Sequence, residues 1–236
     1  MYETFLTFNH TSFRYNYLCH YLPIAAGMNT LSRSLMKFKR GAHPDLEAWI
    51  DSAREALAEK PPSGDSILLR SLGHRELTAH NTSSPDPNNG FTAHNTSSPD
   101  PHSELTPQNI RPSSLDLLCR TLALDFGCQY FPTLLSKTRE TLSNKNLSRP
   151  EREAHLLGVY TANIIDAPAS YLIIDDILTT GATIQAIIAA LRRKSSTCPI
   201  RVFTLARASN NPLPGPIIPL HGRSFRFDPG SGWVQS

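Results

Sequence analysis

One stretch of the sequence constrains the fold more than any other. An apolar run over residues 171–174 ends in two adjacent carboxylates, Asp175 and Asp176, and a Thr/Gly-rich loop follows over residues 179–183. The apolar periodicity of residues 184–194 is typical of a helix. This order predicts a buried parallel strand that leads into a loop at a helix N-terminus, which is where open α/β sheets place their ligands.

The residue types in this loop suit a phosphorylated sugar. Gly181 can adopt a positive φ and lets the backbone approach a phosphate, while the hydroxyls of three threonines add donors. Ionised Asp175 and Asp176 can only accept hydrogen bonds, which suits ribose hydroxyls or hydrated Mg²⁺. The alternative is a solvated acidic pair before an ordinary helix that Thr183 caps. A nucleotide P-loop is excluded because the sequence contains no G-x-x-x-x-G-K-[ST] motif.

Residues 173–183 resemble the phosphoribosyl-pyrophosphate (PRPP) motif of type I phosphoribosyltransferases, which is a hydrophobic strand, two acids and a T-T-G-x-T loop. The resemblance implies that Asp175 and Asp176 are the catalytic acids. They would hold the ribose 2′- and 3′-hydroxyls and contact Mg²⁺ through the ribose or water. We expect Asp175 to matter more, because the last strand position is better ordered. The implied 5′-phosphate site consists of Thr179, Thr180, Gly181, Ala182 and Thr183.

A basic polar segment over residues 136–153 precedes this motif. Its basic residues are Lys137, Arg139, Lys145, Arg149 and Arg152, and they outnumber its three glutamates. Ser148 and Glu151 have the spacing of a capping box, with Pro150 just inside the helix. Such a segment could close over a pyrophosphate and exclude water. A solvated charged connection is the alternative.

Residues 138–141 and 147–152 resemble segments of ComF-type phosphoribosyltransferase-like proteins, and residues 21–23 and 35–39 resemble the N-terminal segment of that family. The resemblance implies that the turn after the first strand binds pyrophosphate together with two basic residues; the set is Arg70, Ser71, Leu72, Gly73, Lys137 and Arg139. Two features depart from the family. The N-terminal zinc-binding cysteines of many ComF proteins are absent, and residues 72–77 replace the usual R-G-F-N-Q stretch.

Composition limits the remaining function classes. A chain of 236 residues with 39% hydrophobic content can bury one substantial α/β core, and a formal net charge of +3 does not by itself indicate nucleic-acid binding. We expect a cytoplasmic protein without membrane contact, because no apolar stretch reaches transmembrane length and no signal peptide is recognisable. The four cysteines are scattered without a C-x-x-C pair, which argues against structural zinc.

The remaining pattern predicts three regions. Residues 1–64 are expected to form a helical or hood region, with an irregular aromatic-rich beginning and a helix over residues 43–60. Residues 65–208 are expected to form the phosphoribosyltransferase-like domain, an α/β fold whose mostly parallel sheet is flanked by helices. Within it, residues 77–112 carry two copies of T-A-H-N-T-S-S-P-D-P at a period of fourteen, which predicts a flexible polar insertion. Residues 209–236 are expected to be an irregular tail.

The resemblance implies transfer of a phosphoribosyl group from PRPP to a nitrogen nucleophile, with release of pyrophosphate and with Mg²⁺ as cofactor. PRPP and an unidentified acceptor are the expected partners, because no segment shows a base-recognition pattern. A homodimer is a further expectation. The alternative function is a non-enzymatic ComF-like component of DNA uptake in competence that binds single-stranded DNA, and a regulator that senses PRPP is the third.

Overall fold

The structure, a computed structural model, describes residues 1–8, 10–22, 30–78, 112–141, 149–163, 168–194 and 197–209, and the backbone of residues 218–220, 223–228 and 232–235. In chain order its elements are β1 (Tyr2–Phe8), β2 (Thr11–Tyr21), α1 (Thr30–Lys39), α2 (Asp45–Ala58), β3 (Ser66–Arg70), α3 (Ser114–Phe126), β4 (Gln129–Tyr130), β5 (Leu135–Lys137), α4 (Arg149–Leu156), β6 (Tyr160–Ala162), β7 (Ser170–Leu178), α5 (Ala182–Arg192), β8 (Ile200–Ala208), β9 (Ile218–Leu220), β10 (Arg223–Asp228) and β11 (Gly232–Gln235).

A six-stranded sheet with the order β1-β2-β8-β7-β3-β4 organises the fold. Neighbouring strands from β2 to β4 are parallel, and β1 pairs antiparallel with β2. Strand β7 is central, pairing with β3 on one side and with β8 on the other. The predicted α/β class with a mostly parallel sheet is confirmed. A parallel strand that helices cover on both faces is apolar throughout, which explains the uninterrupted run over residues 171–174.

The sheet separates two hydrophobic cores. Along β7, Tyr171 and Ile173 belong to a core shared with α5, whereas Leu172 and Ile174 belong to a core shared with α1, α2 and α3. This alternation follows from the two-residue period of a strand.

The predicted irregular beginning of the chain is wrong. Residues 2–21 form the β1–β2 hairpin, and β2 lies parallel to β8 with Arg14 opposite Arg201. The reason is a two-residue alternation: the aromatic side chains of Phe13, Tyr15 and Tyr17 are buried. The first 64 residues therefore contribute two strands to the central sheet before helices α1 and α2, and their predicted helical character fails for residues 2–21.

The predicted irregular tail over residues 209–236 is also wrong. Strands β9, β10 and β11 form a second, antiparallel sheet with the order β11-β10-β9. The sequence of β10, RSFRFD, alternates polar and aromatic residues in the manner of a strand.

Other local predictions are confirmed with shifted boundaries. The strand over residues 66–70 is β3, the helix over residues 43–60 is α2, and the helix over residues 184–194 is α5, which begins two residues earlier. Ser113 caps α3 by accepting a hydrogen bond from the Asp116 N–H, and Gly127 ends that helix with φ 63°. Strand β4 lies at the edge of the central sheet, and β5 pairs with β6 in a separate two-stranded sheet. Nearly all of the 77–112 insertion and residues 142–148 of the basic segment lie outside the described residues.

None of the helices in the described ranges has the length and apolar character needed to span a bilayer.

Candidate ligand-binding site

The carboxyl ends of β3 and β7 open into a cleft of about 840 Å³, which is within the usual size of a small-molecule site. Its lining comes from the end of β3 and the loop after it, the end of β7 and the turn after it, the end of α1, and the start of α3, with single residues from β2 and α4. From the predicted site it includes Arg70, Ser71, Leu72, Gly73, Asp175, Asp176, Thr179 and Thr183. The structure therefore brings together most residues that the PRPP resemblance selected.

Asp175 is a buried carboxyl group fixed by two donors. Its Oδ1 atom accepts hydrogen bonds from the Ser71 hydroxyl at 2.5 Å and from the Asp176 N–H at 2.9 Å. Burial, followed by the charge of Asp176, raises the pKa of Asp175 from an ordinary 3.8 to about 7, against the opposing effect of the Ser71 hydrogen bond. Near neutral pH this group can therefore either accept a hydrogen bond or donate one.

Asp176 forms an ion pair with a lysine. Its Oδ2 atom lies 2.8 Å from the Nζ atom of Lys39, the last residue of α1, and its Oδ1 atom accepts the Ile177 N–H at 2.6 Å. Burial acts to lower the pKa of Lys39, but the charge and hydrogen bond of Asp176, together with the charge of Asp175, outweigh it and that pKa is raised. Sequence reasoning missed Lys39 as a site residue. The only signal was its place in the 35–39 segment that resembles the ComF N-terminal region.

The predicted 5′-phosphate segment forms a tight turn at the start of α5. Gly181 is the N-cap residue with φ 82°, and the Ala182 N–H lies 3.4 Å from the Thr180 hydroxyl. Residues 179–183 line a small cavity of about 30 Å³ together with Arg152 of α4. Thr183 is therefore inside the helix and does not cap it, and the first residues of α5 line this cavity. Helix N-termini are common anion sites because their first N–H groups have no partner within the helix.

Two separate features of the turn require glycine at position 181. Its positive φ is disfavoured for other residues, and a Cβ atom there would lie 3.3 Å from Cζ of Phe8 in β1. The N-terminal hairpin thus packs against this turn.

Arg70 stabilises the loop after β3. Its side chain is 2% exposed, and Nη1 and Nη2 donate to the two carboxylate oxygens of Glu76 at 2.9 and 3.1 Å. Glu76 in turn accepts the Gly73 N–H at 2.6 Å. The pair therefore fixes the conformation of residues 71–76, and what it offers to a ligand is the surface of that loop.

The two other basic residues predicted to bind pyrophosphate have protein partners. Lys137 is buried, and its Nζ atom donates to the Gly73 carbonyl at 2.6 Å and lies 5.4 Å from the centre of the Tyr160 ring. Burial lowers the pKa of Lys137 to about 8. Arg139 is exposed and donates from Nη2 to the His155 carbonyl at 3.1 Å. Lys137 thus supports the loop after β3, whereas Arg139 contacts the segment at the end of α4.

The protein groups present do not form a metal site by themselves. Among the described residues, no cluster of three or more His, Cys, Asp or Glu side chains could hold a metal ion. Mg²⁺ is usually bound through one or two carboxylates together with waters and ligand phosphates. Of the two carboxyl groups here, Asp176 is already paired with the Lys39 ammonium group, so the protein groups by themselves do not fit Mg²⁺.

Beyond Asp176 the cleft continues between α1 and the start of α3. Tyr21, Met36, Ser114 and Leu115 line this end. Sequence reasoning identified no acceptor pocket, because these residues come from three separate segments and carry no shared motif.

Comparison with known proteins gives one group of relatives. No family model matches the chain. It is 30% identical over 92 residues to the DNA utilization protein YhgH of Salmonella typhi and equally so to that of Escherichia coli K12. The aligned segment is 39% of this chain and 40% of each relative, so the similarity covers less than half of their length.

Proposed function

We propose that the cleft binds a ribose 5-phosphate group, with PRPP as the expected ligand, and that the protein acts in DNA utilization. The observation that carries the ligand proposal is the position of two carboxyl groups at the end of β7, directly before a helix N-terminus formed by Gly181. Carboxyl oxygens suit sugar hydroxyls, and helix N–H groups suit a phosphate a few ångströms further along the chain.

Each part of the site has a proposed role. The first N–H groups of α5 and the threonine hydroxyls bind the 5′-phosphate. Asp175 and Asp176 bind the ribose hydroxyls, and the loop of residues 71–73, held by Arg70 and Lys137, lies where a group on the anomeric carbon would reach. If an amine acceptor enters the end of the cleft beside α1, the C–N bond would form as the C–O bond to pyrophosphate breaks, and the departing pyrophosphate would take up the proton that the amine loses.

Calorimetry tests the ligand proposal. We expect the wild-type protein to bind PRPP and ribose 5-phosphate, and Asp175→Ala/Asp176→Ala to weaken both by more than about tenfold, equivalent to ~1.4 kcal/mol. Asp51→Ala, which changes an exposed carboxylate on α2, is the matched control and should bind as wild type does. Failure of the wild type to bind either compound would refute the ligand proposal. Pyrophosphate release in the presence of a panel of nucleobases then distinguishes transfer from sensing.

The second candidate is direct binding of single-stranded DNA, which the similarity to the YhgH proteins favours. Arg139 and the other basic residues of the 136–153 segment, apart from the buried Lys137, would contact the phosphate backbone, so the affinity should fall steeply with salt. Fluorescence anisotropy of a labelled oligonucleotide between about 50 and 300 mM salt measures this slope. An affinity that is absent at the lowest salt concentration, or that salt leaves unchanged, would refute backbone binding whatever the outcome with PRPP.

A further inference from the structure

Lys39 occupies a position in the cleft that the motif of β7 does not predict. Its Nζ atom lies 2.8 Å from Asp176 Oδ2, and its side chain is 40% exposed at the cleft surface beside both acids. The neighbouring basic residue of the same helix, Lys37, is 63% exposed and lies 3.9 Å from Asp45 on α2. The contact with Asp176 is therefore specific to the last residue of α1.

The end of α1 is held firmly, so the ammonium group is placed by packing. Phe38, directly before Lys39, is fully buried in the core shared with α2 and α3. The Phe38 carbonyl accepts hydrogen bonds from the Ser114 hydroxyl of α3 and from the Gly41 N–H. These contacts fix the backbone from which the lysine side chain reaches β7.

The position of Lys39 matters because of the negative charges beside it. Two adjacent carboxyl groups repel each other and also repel a phosphorylated ligand, unless a cation offsets them. A divalent ion is one solution, but among the described residues no group of three or more His, Cys, Asp or Glu side chains could hold it. An ammonium group on Asp176 would also repel a metal ion at the same carboxylate.

We propose that Lys39 takes the place of a divalent cation at the acidic pair, so that this protein binds ribose phosphate without Mg²⁺. Lys39 offsets the charge of Asp176 and keeps that carboxylate oriented toward the sugar. The inference rests on the proposed function, since it concerns how the same site recognises the same class of ligand.

The experiment compares the wild type with Lys39→Met, Lys39→Arg and Lys37→Met, using ribose 5-phosphate as the probe in calorimetry with Mg²⁺ or with EDTA. We expect EDTA to change the wild-type affinity by less than about threefold. Lys39→Met should bind more than about tenfold more weakly in EDTA and recover when Mg²⁺ is added. Lys39→Arg retains the positive charge and Lys37→Met lies outside the contact, so both should resemble the wild type.

A second measurement does not depend on ligand binding. Electron paramagnetic resonance of Mn²⁺ should show no ion bound to the free wild-type protein or to Lys37→Met, and an ion bound to Lys39→Met. Mn²⁺ bound by the wild type and lost in Asp176→Asn would overturn the inference, as would equal sensitivity of wild type and Lys39→Met to EDTA. Absence of ribose 5-phosphate binding by the wild type in both buffers, with the Mn²⁺ pattern as expected, would instead locate the failure in the proposed function.

Discussion

Replacing Asp175 by Asn should stabilise the protein in a pH-dependent way. The carboxyl group is 9% exposed, and its Oδ1 atom accepts from the Ser71 hydroxyl and the Asp176 N–H. An Asn side chain can keep a carbonyl oxygen in that position, and it removes the charge that burial and Asp176 disfavour. The substitution therefore isolates the cost of ionising this group in the folded state.

The magnitude follows from the pKa. A rise from 3.8 to about 7, at ~1.4 kcal/mol for each tenfold change in proton affinity, corresponds to about 4 kcal/mol. Because the folded state binds the proton more tightly than the unfolded state, the contribution is complete below about pH 4 and is lost as the pH rises through 7. Between about pH 5 and pH 8, the wild type should therefore lose about 2 kcal/mol or more relative to Asp175→Asn.

Urea denaturation at these two pH values measures the free energy of unfolding of both proteins. Asp51→Asn, at an exposed position on α2, is the control for general effects of lost negative charge. A stability difference between wild type and Asp175→Asn that stays constant, or that shrinks toward pH 8, would refute the reasoning. It would mean that the buried carboxyl is stabilised as an anion.

Two further predictions concern the loops of the cleft. Gly181→Ala should destabilise the protein by ~2 kcal/mol and weaken ribose 5-phosphate binding. The control is Gly158→Ala, because Gly158 also has a positive φ, +70°, but has nothing within 4 Å of an added Cβ atom. This variant should show only the cost of the backbone conformation and should bind the ligand normally. Arg70→Met leaves buried Glu76 without its main partner and should lower the free energy of unfolding by ~3 kcal/mol. Urea denaturation checks both, and a loss below ~1 kcal/mol for Arg70→Met would contradict a bracing role.

The central motif could be predicted because its information is local. An apolar run, two acids and a glycine followed by an apolar helix determine β7, the turn and α5 within about twenty residues. The left-handed Gly181 and the sheet class follow from the same stretch. The parallel neighbours of β7, which are β3 and β8, have short apolar sequences of the kind that predicts a buried strand.

The missed features depend on partners that are distant in sequence. In the structure, strand β2 is identified by its pairing with β8. In the sequence, its alternation of aromatic and polar residues is obscured by further polar residues such as His10 and Asn16. The contact between Lys39 and Asp176 joins the end of one helix to a strand far along the chain. The resemblance assigned Arg70 to the pyrophosphate site by its position in the chain, whereas the orientation of its side chain is set by Glu76 six residues later.

The pairing of β2 with β8 has a consequence for how the chain folds. Arg14 lies opposite Arg201, so the sheet joins an early strand to one translated much later. A hairpin of β1 and β2 by itself is marginally stable in water. The hairpin is therefore expected to become stable only when β2 pairs with β8. Such long-range parallel contacts slow folding. Because Phe8 of that hairpin lies against the turn at Gly181, the ligand site should be among the last parts of the molecule to reach its native conformation.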